Sequence, residues 1–169
     1  MKPLLSIVIP AYNNARRLPL ALIDLDRHLA TVSVPTELFV VNDGSDDGTA
    51  ALLKPFCAAM RTLTALDAPE HRGTGAAVRI GMVTARGSWR LTAFTPNALV
   101  PDLLDQLLST ISRTEAPALI AFNTQSSGIA GAVAAGGSWL RSVPAWVLLG
   151  IPRSVRATPF LCASAEIAE

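Results

Sequence analysis

The chain of 169 residues contains few charged residues, few aromatic residues and almost no cysteine. Charged residues make up 16% and aromatic residues 5% of it. The two cysteines, Cys57 and Cys162, do not have the spacing of metal ligands or of a redox pair, which is typical of a reducing compartment and predicts a cytoplasmic protein. The formal net charge is only +1 and the basic residues are scattered, which excludes nucleic acid as a partner.

Long apolar runs are also missing. No stretch reaches the roughly 18 apolar residues that a membrane-spanning helix needs, so we expect no transmembrane segment. The mean hydropathy of +0.40 is nevertheless high for a soluble monomer. We therefore expect the chain to form a homo-oligomer, to bind a partner protein or to contact a membrane surface peripherally.

Strand and helix patterns alternate along the chain. Apolar runs predict strands over residues 4–9, 37–41, 63–66, 89–94, 118–122 and 155–162. Helical spacing predicts helices over residues 17–29, 49–60, 75–85, 102–111 and 139–149. This alternation predicts an α/β fold with a doubly wound, mostly parallel sheet and helices on both faces. The length predicts a single domain over residues 1–169.

Polar residues follow the first two predicted strands. Pro10 and Tyr12 come at the end of the first strand, and Asn42 and Asp43 at the end of the second. Ligands of open α/β sheets bind at such strand ends, so we expect these four residues to line one crevice. The segment 46–49 is interpreted as a turn and helix cap, a role that Asp, Ser and Gly fill without any ligand.

A glycine-containing loop precedes the third predicted helix. It contains His71, Arg72 and Gly73, and its glycines could present backbone amides to an anion while Arg72 binds a phosphate or carboxylate. A flexible loop leading into the helix is the alternative, and both interpretations stay open. His71 and Arg72 are the candidate catalytic residues, with His71 as an acid or base; the alternative for His71 is a solvated side chain.

Three sequence blocks, residues 6–14, 40–49 and 71–82, together resemble the family-2 glycosyltransferases, most closely the dolichyl-phosphate-mannose-synthase branch. The resemblance implies a glycosyltransferase-A fold and a nucleotide-sugar ligand. It also implies that Tyr12 and Asp43 contact the uracil or guanine and the ribose. Residues 1–110 would form the nucleotide-binding half, and residues 111–169 a compressed acceptor half.

The acidic residues that such transferases use are missing. The segment Phe94-Thr95-Pro96-Asn97 lies where the family carries a metal-binding Asp-x-Asp, and Ala157 stands where a family segment has Asp. No acidic residue lies between residues 71 and 101 or between residues 116 and 165. We therefore predict that Thr95 and Asn97 line the substrate site and that no divalent metal or other cofactor is bound.

Three functions remain open from the sequence. The first is a transferase-derived protein that has lost metal-dependent sugar transfer and acts as a repurposed catalyst or non-catalytic partner. The second is an active, metal-independent glycosyltransferase in which Arg72, Arg79 or Arg90 stabilises the leaving diphosphate. The third is a non-enzymatic oligomerisation or interaction module, suggested by the apolar composition and the predicted helix over residues 139–149.

Overall fold

The computed structural model of the protein describes residues 3–93, 101–112, 118–123, 128–134 and 160–164. The predicted helix over residues 139–149 and the position of Ala157 lie outside these ranges. The strands are β1 (Leu5–Ala11), β2 (Thr36–Asp43), β3 (Leu63–Ala68), β4 (Trp89–Ala93), β5 (Ala118–Asn123), β6 (Gly128–Ala134) and β7 (Phe160–Ser164). The helices are α1 (Leu18–Thr31), α2 (Thr49–Ala59), α3 (Thr74–Thr84) and α4 (Pro101–Ile111).

The first strand and helix show how the sequence specifies these elements. All seven residues of β1 are buried, as expected of an apolar, β-branched strand covered on both faces. In α1, Leu18, Leu22 and Leu25 recur at helical spacing and are buried, so one stripe of the helix packs on the sheet. The helix ends where Val32 adopts an extended backbone.

The seven described strands form one sheet in the order β3-β2-β1-β4-β7-β5-β6. Strands β1 to β4 are parallel, whereas β7 runs antiparallel to both β4 and β5, and β6 runs antiparallel to β5. The predicted fold class, an α/β fold with a mostly parallel sheet, is confirmed. Two details differ: the last strand continues to Ser164 rather than ending at residue 162, and β6 was not predicted. The predicted strand residues 155–159 lie outside the described ranges.

Helices cover both faces of the parallel half of the sheet. On one face, leucines of α1, α2 and α4 pack with Ile7 and Ile9 of β1. On the other face, α3 packs through Ala77 against Val8 of β1 and neighbouring residues of β2. Among the described residues, none of the helices is both long and apolar enough to cross a bilayer.

A buried polar cluster closes the amino ends of β1 and β2. The Ser6 hydroxyl donates to Oε1 of Glu37 at 2.6 Å, and the Arg86 amide donates to the same oxygen at 2.6 Å. The Arg86 guanidinium reaches Oε2 at 3.3 Å. Burial alone would raise the pKa of Glu37, but these hydrogen bonds and the positive charge hold this pKa below its ordinary value.

Arg90 belongs to this end of the sheet as well. It is buried in β4 and pairs in register with Ser6, near the start of β1. The crevice predicted from the sequence is at the opposite end of β1, after Ala11. Arg90 is therefore too remote to stabilise a diphosphate there, which corrects that part of the metal-independent hypothesis.

Candidate ligand-binding crevice

The predicted crevice residues come together at the carboxyl ends of β1 and β2. The two strands are parallel neighbours, with Ala11 opposite Asn42, so Tyr12 and Asp43 both emerge at the same edge of the sheet. Pro10 directly precedes Ala11 and is buried within β1. The loop with His71 and Arg72 approaches this edge from the end of β3.

An aromatic pair forms the exposed wall of the crevice. The ring of Tyr12 stacks on the imidazole of His71, with ring centroids 3.7 Å apart and planes inclined by 22°. Tyr12 remains 42% exposed, and the side chain of His71 remains 46% exposed. Each ring therefore keeps surface available to a ligand, and planar ligands bind well against such surfaces.

Asp43 is the buried centre of this arrangement. Its Oδ1 accepts the Arg72 amide at 3.0 Å, and its Oδ2 accepts the Gly73 amide at 2.8 Å. The Nδ1 atom of His71 lies 2.8 Å from Oδ2. Because the Asp43 side chain is only 2% exposed, the carboxylate holds the loop 71–73 against the end of β2. Direct contact of Asp43 with a ligand stays a prediction.

The loop before α3 exposes the side chain of Arg72 to solvent. Gly73 has a φ of 91°, a conformation that favours glycine, and it is the residue that precedes α3. Its amide and that of Arg72 bind Asp43, so the anion held by this glycine turn is one of the chain's own carboxylates. The Arg72 side chain is 65% exposed, and its guanidinium lies 4.0 Å from the Glu70 carboxylate.

The side chain of Asn42 is held by hydrogen bonds to Asp67 and Ser45. Its Nδ2 donates to Oδ1 of Asp67 at 2.9 Å, and its Oδ1 accepts the Ser45 amide at 3.4 Å. Asp67 lies in β3 directly opposite Asn42 in register. Asp67 was not among the predicted site residues, although its position near the end of the third predicted strand was an available signal.

Four hydrogen bonds join the loop after β1 to the loop after β2. Asn13 exchanges two, its amide donating to Ser45 Oγ at 3.0 Å and its Oδ1 accepting the Asp46 amide at 3.1 Å. The Asn14 amide donates to Thr49 Oγ1 at 3.1 Å, and the Ala15 amide donates to Asp47 Oδ2 at 3.0 Å. These four bonds, here called the loop zipper, fix the backbone next to Tyr12.

Asp47 anchors the loop zipper on both sides. Besides accepting from Ala15, it accepts the amide and the hydroxyl of Thr49 through Oδ1. The Thr49 hydroxyl, followed by these backbone amides, lowers the pKa of Asp47. The contacts of Asp47 with Thr49 therefore agree with the predicted turn and cap at residues 46–49. Asp47 also binds the loop after β1 through Ala15, a contact that was not predicted from the sequence.

The described residues show no grouped metal ligands. Within the described ranges, no group of three or more His, Cys, Asp and Glu side chains is arranged to hold a metal ion. Thr95 and Asn97 lie outside the described residues, so their predicted place in the site stays a prediction. Their segment, Phe94-Thr95-Pro96-Asn97, contains no carboxylate in any case.

Comparisons of sequence identify relatives of this chain. Residues 6–95 match the sequence profile described as Glycosyl transferase family 2. A dolichyl-phosphate beta-glucosyltransferase of Drosophila melanogaster is 38% identical over 90 residues, which cover 49% of this chain and 28% of the relative. The Homo sapiens protein of the same description is 34% identical over 99 residues, covering 53% and 30%. The matched region thus spans less than a third of these relatives.

Comparisons of structure agree on the fold. A mannosyltransferase from Pyrobaculum calidifontis in complex with GDP-Man and Mn²⁺ matches with a TM-score of 0.55 and 22% identity, over 70% of this chain and 35% of that one. Mannosyl-3-phosphoglycerate synthase from Rubrobacter xylanophilus matches with a TM-score of 0.62 and 18% identity, over 98% and 54%. At these identities the likeness concerns the fold, and it confirms the predicted glycosyltransferase-A architecture.

Proposed function

Because this chain belongs to family 2 of the glycosyltransferases, we propose that its crevice binds a nucleotide sugar without a divalent cation and that metal-dependent sugar transfer has been lost. The observation that carries the proposal is a contrast between the described edge of the crevice and the sequence that follows β4 directly. The stacked Tyr12 and His71 rings offer a surface for a nucleobase, whereas the segment 94–97 offers no carboxylate for a metal ion.

The aromatic side of this edge is well prepared for a planar ligand. The loop zipper restrains the backbone beside Tyr12, and Asp43 restrains the backbone beside His71. A surface that is already ordered loses little conformational entropy when a ligand binds. The nucleotide sugars named for the structural neighbours, GDP-Man among them, are therefore reasonable ligand classes to test.

The sequence directly after β4 lacks the carboxylates that metal-dependent transfer requires. A divalent cation stabilises the leaving diphosphate when carboxylates hold it, and an inverting transferase needs a further carboxylate as base. No Asp or Glu occurs between residues 71 and 101 or between residues 116 and 165. We expect the protein to act as a repurposed catalyst or as a non-catalytic partner of another protein.

Calorimetry tests this proposal. The protein would be titrated with UDP-, GDP- and dTDP-sugars, with Mn²⁺ and again with EDTA. We expect at least one donor to bind with the same Kd in both conditions, and Tyr12→Ala to weaken it. Lys54→Ala, which alters an exposed residue of α2, is the control and should bind like the parent protein. Binding that depends on Mn²⁺ would contradict the proposal.

One observation favours the metal-independent transferase as a second candidate. The Arg72 guanidinium is exposed at the crevice loop, where a cation could neutralise a diphosphate. This candidate predicts sugar-nucleotide turnover that persists in EDTA and is lost in Arg72→Ala. If no turnover is seen across a panel of donors and acceptors, the candidate is rejected.

Exposed apolar side chains favour the interaction module as a third candidate. Leu20 on α1 and Val83 on α3 are both largely exposed. Light scattering tests whether the chain associates with itself. A monomer that co-purifies with no partner would remove the reason for this candidate.

A further inference from the structure

We infer that His71 is the specificity-determining residue of the crevice, with its Nε2 atom accepting a hydrogen bond from a ring N–H of the ligand's base. The ligand class is a nucleotide whose base carries such an N–H beside a carbonyl, as uracil, thymine and guanine do. This inference deepens the proposed function and rests on it, since it concerns the same crevice.

The first step is the enclosure of Asp43. Its carboxylate already accepts the amides of Arg72 and Gly73, and it lies against the His71 imidazole. With a side chain only 2% exposed, it presents almost no surface to a ligand. The exposed polar group beside the Asp43 carboxylate is the imidazole of His71.

The second step is the tautomer of His71. Its Nδ1 lies 2.8 Å from Oδ2 of Asp43 and 3.2 Å from the Asp43 backbone carbonyl, and both of these atoms are acceptors. Nδ1 must therefore carry the hydrogen. In the neutral imidazole, Nε2 is then left with a lone pair and can only accept.

The third step is the fixed direction of that lone pair. Stacking on Tyr12 fixes the plane of the imidazole, and the contact with Asp43 fixes its rotation within that plane. Among the described residues, the ionisable groups around this corner include the Tyr12 hydroxyl, the exposed pair Glu70 and Arg72, Asp67 next to Asn42, and Asp46 and Asp47 of the loop zipper. A rigid acceptor beside an aromatic surface can bind the edge of a base that stacks there.

Methylated nucleotides test the inference directly. UDP and 3-methyl-UDP would be titrated calorimetrically, in parallel with GDP and 1-methyl-GDP. Methylation removes the one ring N–H from each base. For the parent protein we expect it to weaken binding by about tenfold or more, which is the effect of one lost hydrogen bond in a restricted site.

Two variants separate the hydrogen bond from a steric effect of the methyl group. His71→Phe keeps a ring beside Tyr12 but has no nitrogen, and His71→Asn keeps an N–H donor for Asp43 but has no atom in the place of Nε2. Both should bind the methylated and unmethylated nucleotides equally, at the weaker affinity. Circular dichroism would show that each variant is folded.

The possible results separate the two levels of the proposal. Equal binding of methylated and unmethylated nucleotides by the parent protein would overturn the role of His71 while leaving nucleotide binding intact. Discrimination that survives in both variants would also overturn it, because another group would then be responsible. Absence of binding by every nucleotide would overturn both this inference and the proposed function.

Discussion

Gly81 of α3 lies so close to Val8 of β1 that a methyl group on Gly81 would collide with one Val8 methyl group and crowd the other as well as Val41. The close approach of α3 to the sheet therefore depends on a missing side chain. Glycine lowers helix stability, so its presence in the middle of α3 is explained by packing rather than by helix propensity.

The first prediction concerns this contact. Gly81→Ala should lower the free energy of unfolding by about 1 to 3 kcal/mol, because overpacking outweighs the gain in helix propensity. Gly75→Ala, in the first turn of the same helix, has open space around the new methyl group and is the matched control. Urea unfolding of both variants measures the difference, and equal stabilities would show that α3 can shift without cost.

The second prediction concerns Gly44. It has a φ of 64°, and a methyl group there would collide with the backbone of Glu70 and His71. Gly44→Ala should cost about 2 to 4 kcal/mol, from backbone strain plus displacement of the loop. It should also abolish the crevice, as reported by loss of nucleotide binding.

Gly48→Ala is the control for that experiment. Gly48 has a φ of 87° but nothing near the new methyl group, so only the strain of about 1 kcal/mol remains. Thermal unfolding would compare the two variants. If both variants lose a similar amount of stability, the collision of the new methyl group with residues 70 and 71 adds little to the cost.

The third prediction concerns the buried Glu37. Glu37→Gln should destabilise the fold by about 1 to 3 kcal/mol, since the new amide would place a donor against the Arg86 guanidinium, which can only donate. Glu70→Gln, which changes an exposed acid, should stay within about 0.5 kcal/mol of the parent. Urea unfolding at neutral pH measures both.

The fourth prediction gives the pH dependence of that cluster. Because the pKa of Glu37 is lowered in the folded state, its stabilising contribution is complete above the ordinary glutamate pKa of about 4.3 and is lost as the pH falls through the folded-state value. The parent should therefore lose stability on acidification more steeply than Glu37→Gln. Parallel slopes between about pH 6 and pH 3 would contradict this linkage.

The fifth prediction concerns the loop zipper. Asp47→Ala removes the acceptor for the Ala15 and Thr49 amides and should cost about 1 to 2 kcal/mol. Hydrogen exchange should accelerate at these two amides and at the neighbouring Asn14. Asp46→Ala is the control, because the zipper uses the backbone amide of Asp46 rather than its side chain. Unchanged exchange in Asp47→Ala would contradict the anchoring role.

Much of the parallel half could be predicted from the sequence, because its signals are local and strong. The strand β1 is a continuous apolar run, and α1 repeats leucine at helical spacing. The strand β6 was missed because its sequence, GIAGAVA, is rich in glycine and alanine and carries little β propensity. The antiparallel direction of β7 depends on long-range pairing, which no local pattern specifies.

The candidate site was only partly predictable, for the same reason. Strand ends placed Tyr12 and Asp43 at one edge, because parallel strands share their carboxyl ends. The stacking of His71 on Tyr12 joins residues far apart in sequence, and it depends on the loop conformation that Asp43 and Gly44 impose. Asn13 adopts a φ of 51°, which asparagine tolerates better than most residues, but its loop partners could not be read from the sequence.

The position of β7 has a consequence for the order of folding. Among the described strands, Phe160–Ser164 is the sole link between the parallel half and the hairpin of β5 and β6. During synthesis, β1 to β4 can pair as soon as residue 93 has left the ribosome. The hairpin can join them only after β7 has been made, about 70 residues after the end of β4. Nascent chains are thus expected to hold an assembled parallel half beside an undocked hairpin.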